Sequence, residues 1–118
     1  MKEYFVYMLR CEGERLYTGY TADVKKRLAS HSTGRGGAKF TRGFRPLGMA
    51  ALWKVAGGRG GAMKVEALIK SLGRDEKKEL AAEPFRLEAM IVEKGIPAEV
   101  MVCDPGEYSA GGVKSRPK

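Results

Sequence analysis

Apolar residues near the start of the chain come in two short runs separated by a polar break. In the first, Tyr4, Val6 and Met8 alternate with Phe5, Tyr7 and Leu9; the second opens with Leu16, Tyr17 and Thr18, and Glu12, Gly13 and Glu14 lie between them. Period-two alternation of β-branched and aromatic residues around a glycine-containing turn predicts a β-hairpin. A helix is predicted next, from Val24 to about Gly34, carrying Leu28 and Ala29, with Thr21 as its N-cap and Asp23 in its first turn. Leu47 to Val55, which holds the single tryptophan Trp53, reads as a third strand. The run Gly57-Gly58-Arg59-Gly60-Gly61 predicts a break. From Ala62 onward, Val65, Leu68, Ile69 and Leu72 recur at the spacing of a core-facing helical stripe that Gly73 ends.

The last third is less regular. Asp75 to Ala82 reads as a short helix, and Pro84 suits the first turn of another one reaching about Glu93. Glu99 to Cys103 has the composition of a last short strand, and the tail from Asp104 lacks core material and is expected to be loose. Together these elements predict an α+β fold: a small three-stranded antiparallel or mixed sheet flanked by helices over residues 1–83, with a C-terminal helical extension over 84–118. At 118 residues the chain has room for a single domain with a modest core.

Charge changes the picture more than composition does. The net charge is +8, and Val24 to Val65 contains no acidic residue while carrying ten lysines and arginines. The rest of the chain is slightly acidic. One-signed charge concentrated in the middle third is a footprint for a polyanion, most simply DNA or another nucleic acid. No apolar run approaches the ~20 residues that span a bilayer, and no apolar signal core follows a basic start, so no membrane partner and a cytoplasmic location are expected. Cys11 and Cys103 lack metal-ligand spacing and read as idle thiols. Asparagine and glutamine are both missing, a composition that fits a protein from a hot environment.

Several residues could carry chemistry on a polyanion. Tyr7 and Tyr17 sit one on each strand of the hairpin, and Arg27 and His31, four apart, project from one helix face. Glu66 lies at the border of the apolar stripe, where a carboxylate is half-buried and aimable. Residues 33–46 interleave glycines with Arg35, Lys39, Arg42 and Arg45 and with two phenylalanines, as a loop contacting a phosphate backbone would. Taken singly, each residue also has an ordinary structural role, as strand packing, solvated helix face or connecting loop.

Val6-Tyr7-Met8-Leu9 and, ten residues on, Leu16-Tyr17-Thr18-Gly19-Tyr20-Thr21 resemble the paired motifs that name the GIY-YIG nuclease family. The likeness continues through Asp23 to Leu28, His31, Lys39 to Gly43, Arg45-Pro46 and Glu66, in the order of the small single-domain, UPF0213-like subfamily, over roughly residues 3–80. The resemblance implies an endonuclease that hydrolyses DNA phosphodiesters, guided by structure such as a branch or single strand, in repair or recombination. It implies catalytic roles for Tyr7, Tyr17, Arg27, His31 and Glu66, one Mg2+ or Mn2+ ion at Glu66, and nucleic-acid contacts from Thr18, Gly19, Lys26, Arg35, Lys39, Arg42 and Arg45. A protein partner that targets the substrate is also expected. The chain departs from the family pattern where Phe5 replaces the first motif's glycine, where Thr18 replaces an isoleucine, and in having no asparagine to follow the glutamate. That last departure motivates an alternative: a binding module that keeps the nuclease core without turnover.

Overall fold

The structure is a computed structural model and describes residues 3–33 and 46–108. Strand β1 (Tyr4–Cys11) pairs antiparallel with β2 (Arg15–Thr21) on one side and with β3 (Pro46–Ala56) on the other. A fourth strand, β4 (Glu99–Cys103), pairs antiparallel with β3, so the sheet order is β2-β1-β3-β4. The sheet thus has four strands rather than the three expected. The fourth forms because Val100 and Met101 supply a β-prone segment that aligns with Val55 and Lys54 on the free edge of β3.

Helices cover both faces. Helix α1 (Val24–Thr33) lies on one face, where Val24 and Leu28 pack with Phe5, Tyr7, Leu9, Cys11 and Leu52. On the other lie α2 (Gly58–Lys70), α3 (Arg74–Ala82) and α4 (Arg86–Lys94). Their Ala62, Val65, Ile69, Leu80, Leu87 and Ile91 close over Val6, Met8, Ala51, Trp53 and Val55. This sandwiching explains why Phe5 to Leu9 is apolar at every position: an internal strand covered twice has no solvent face on which to place polar residues. Leu87 and Ile91 belong to the same apolar cluster as Leu80, so the C-terminal segment adds to the core of residues 1–83.

Three local expectations need correction. Helix α2 begins inside the glycine run, at Gly58. Gly57 (φ 134°) and Gly58 (φ 71°) take the left-handed backbone that reverses the chain out of β3, and a Cβ on Gly61 would stand 3.3 Å from that of Ala98. The glycines therefore start the helix and let it approach the segment leading into β4. At the start of α1 the cap is Asp23, whose Oδ1 accepts the Lys26 N–H at 3.0 Å; Thr21 Oγ1 accepts the Asp23 N–H at 3.0 Å, one step earlier. Beyond Asp104, Pro105–Tyr108 forms a 3-10 turn, with the Gly106 N–H donating to Asp104 Oδ1 at 2.9 Å. The rest of the tail expected to be loose lies outside the described residues.

Trp53 ties the sheet to the C-terminal helices. It is fully buried, and its Nε1–H donates to the Pro84 carbonyl at 2.9 Å. Trp53→Phe leaves a cavity and an unpaired carbonyl, and the expected loss is about 2–3 kcal/mol in urea unfolding followed by circular dichroism.

Candidate active site

The site is built on the hairpin register. Tyr7 stands opposite Gly19 and Leu9 opposite Tyr17, so the two tyrosines are diagonal neighbours on the α1 side of the sheet. Their ring centroids are 6.3 Å apart at an interplanar angle of 44°. The Tyr7 ring leans across Gly19: a Cβ there would come within 2.5 Å of Tyr7 Oη and 2.7 Å of Cζ. Gly19 is the seat of the phenol, a role that sequence reasoning missed by assigning it to nucleic-acid contact. The available signal was a glycine inside a strand pattern, which marks close approach of another group.

Tyr7 is 2% exposed. Burial holds its phenol well above the ordinary value of about 10. The neighbouring Tyr17 phenol and the Glu66 carboxylate push it further up, while the Arg27 guanidinium pulls it down. Three of the other four predicted catalytic side chains, from β2, α1 and α2, therefore act electrostatically on Tyr7 in β1. The fifth, His31, belongs to α1 by its backbone, and its side chain lies outside the described residues. At neutral pH Tyr7 is a protonated phenol, able to donate a hydrogen bond; acting as a base would require more positive charge than Arg27 supplies.

Glu66 is half-buried, with its side chain 22% exposed, and pairs with Lys70 Nζ at 3.4 Å one turn along α2. Among the described residues no group of three or more His, Cys, Asp and Glu side chains could hold a metal ion. The donor set is a single hard carboxylate. This fits Mg2+ or Mn2+ of the kind that takes one or two protein oxygens and fills its octahedron with phosphate and water.

The predicted nucleic-acid contacts divide. Lys26 is exposed on α1 and free to meet a strand. Thr18 is 3% exposed, facing the α2 side next to Met8, and its hydroxyl has no hydrogen-bond partner among the described residues; direct contact with a nucleic acid does not fit that position. Arg35, Lys39, Arg42 and Arg45, with the loop that carries them, lie outside the described residues. A second missed feature is Tyr20, whose Oη accepts a hydrogen bond from Arg59 Nε at 3.1 Å.

Residues 3–79 match the model of the GIY-YIG catalytic domain, and the chain belongs to that family of nuclease domains. Relatives within it include UPF0213 proteins. One from Vibrio cholerae is 41% identical over 87 residues, covering 74% of this chain and 85% of its own. One from Cronobacter sakazakii is 42% identical over 90 residues, covering 76% and 93%. A solution NMR structure of the UPF0213 protein BH0048 from Bacillus halodurans is 36% identical, with a TM-score of 0.42 over 72% of this chain and 92% of that one.

Two outcomes test this geometry. Gly19→Ala forces the Tyr7 ring to move and is expected to cost about 1–3 kcal/mol, whereas in a Tyr7→Leu background the same change costs well under ~1 kcal/mol; urea unfolding of the four proteins measures the coupling. The raised Tyr7 value also fixes a pH dependence. A proton held more tightly in the folded than in the unfolded state gives stability that is present below about pH 10 and is lost as pH climbs above it. Tyr7→Phe is expected to flatten that alkaline decline in thermal melts.

Proposed function

We propose that this protein is a metal-dependent endonuclease that hydrolyses DNA phosphodiester bonds guided by the structure of the substrate. The observation that carries the reading is the joint action of Tyr17, Arg27 and Glu66 on one buried phenol, Tyr7. Each group has a task in phosphoryl transfer. Arg27 presents a planar fork to two phosphoryl oxygens and neutralises charge that grows in the transition state. Glu66 would hold a divalent cation, which would supply positive charge to offset that of the phosphoryl oxygens. Tyr7, protonated and fixed on Gly19, donates a hydrogen bond that orients the attacking water or a phosphoryl oxygen, and Tyr17 borders the same space. The acid-free stretch from Val24 to Val65 draws the polyanion in.

Two observations favour the alternative, a DNA-binding module without turnover: Lys70 already pairs with Glu66, and no asparagine is present to share an ion. Nicking of a branched or single-stranded DNA substrate with and without Mg2+ separates the two. Hydrolysis predicts Mg2+-dependent cleavage that falls by ~100-fold or more in Glu66→Ala and Arg27→Ala, with Arg27→Lys recovering only part. Binding without cleavage by any divalent metal supports the module instead.

A further inference from the structure

On α2, Arg59 precedes Glu66 by seven residues. That interval is close to two full turns, so both side chains leave the helix on nearly the same side, about 10 Å apart along its axis. On β2, Tyr20 pairs with Val6 on the face that α2 covers, whereas Tyr17, three residues earlier, lies with Leu9 on the α1 face. Helix α2 packs on β1 and β2 and is joined to β2 at one rung, where Arg59 Nε donates to Tyr20 Oη at 3.1 Å.

This rung is built to hold a guanidinium in place. The Tyr20 ring is itself fixed by Tyr4, at a centroid distance of 6.4 Å and an interplanar angle of 26°. Arg59 is exposed and spends its Nε on the tyrosine, which leaves its terminal nitrogens accessible to solvent. Lys54, Lys70, Arg74, Lys78 and Arg86 are each matched by a carboxylate, while among the described residues no carboxylate lies in ion-pair range of Arg59. Gly58 and Gly60 flank it, and even a Cβ at either would meet nothing within 4 Å, so a bulky chain can come close.

We infer that Arg59, aimed by Tyr20 and Tyr4, grips a backbone phosphate of the substrate strand about 10 Å from the reacting phosphate, and so sets which bond of that strand reaches Glu66. The assignment rests on the nuclease reading above for what happens at Glu66, but its binding part can be measured without cleavage. Arg59 is a positioning residue. It fixes the register of the strand along the β2 edge of the sheet and touches no reacting atom.

The test is fluorescence anisotropy with a labelled single-stranded DNA oligonucleotide, in chelator, across a salt series, for the full chain and four variants. Arg59→Ala is expected to weaken binding severalfold and to lower the log–log salt slope by about 0.7, the share of one phosphate contact on a single strand. Arg59→Lys keeps the slope. Tyr20→Phe keeps the charge and the slope but weakens binding, because the guanidinium is no longer aimed. Lys94→Ala removes an exposed charge from α4, which packs on β4 at the opposite edge of the sheet from β2, and its slope stays that of the wild type. An Arg59→Ala protein with wild-type affinity and slope, or one matched by Lys94→Ala, overturns the assignment. Cleavage that survives Glu66→Ala sinks the nuclease reading instead and leaves the salt-slope result to decide Arg59 alone.

Discussion

The structure depends on one strand being covered from both sides. β1 is internal to the sheet, and Phe5 to Leu9 are all buried, alternately beneath α1 and beneath the α2–α4 layer. At ~25 cal/mol per Å2 of apolar surface removed from water, five consecutive buried side chains, Phe5 to Leu9, give α1 and the α2–α4 layer a common apolar surface to dock on. This packing also makes the site. Tyr7 is the polar-tipped member of that run, and α1 and α2 bring a cation and an anion to it because both helices must dock on the strands that flank it.

The electrostatics of the cluster follow from its burial. A phenol at the edge of a dry core resists ionising, and an adjacent carboxylate and second phenol raise that resistance, so the proton stays on Tyr7 unless positive charge arrives. The arrangement is poised for a ligand that carries cations with it or needs them, and a phosphodiester does both. Glu66 pairs with Lys70 at 3.4 Å, an exposed lysine that a stronger cation can displace. Val24 to Val65 carries ten lysines and arginines and no acidic residue, the charge pattern that attracts a polyanion.

Much of this was legible in the residues. The hairpin, α1, β3 and α3 could be read from period and composition, and the order Tyr7, Tyr17, Arg27, Glu66 pointed to the family that the domain match bears out. What escaped was tertiary. β4 joins the sheet along the edge of β3 opposite β1, pairing with Leu52–Ala56 while Leu52–Val55 pair with β1 on the other side, and nothing local in Glu99–Cys103 announces its partner. The glycine run looked like a break because glycine weakens helices on average, whereas here Gly57 and Gly58 turn the chain and Gly61 admits Ala98. Gly19 and Thr18 read as surface residues of a binding motif; the register buries both, one beneath a phenol and one against the α2 layer.

The central claim is that side chains from four elements share one site around Tyr7. The most direct measurement is carbon-13 NMR of the Tyr7 ring through the onset of its titration above pH ~10, in the wild type, Glu66→Gln and Arg27→Ala. The account predicts opposite movements: removing the carboxylate lowers the Tyr7 value, and removing the guanidinium raises it. A Tyr7 titration that neither substitution moves would contradict the convergence.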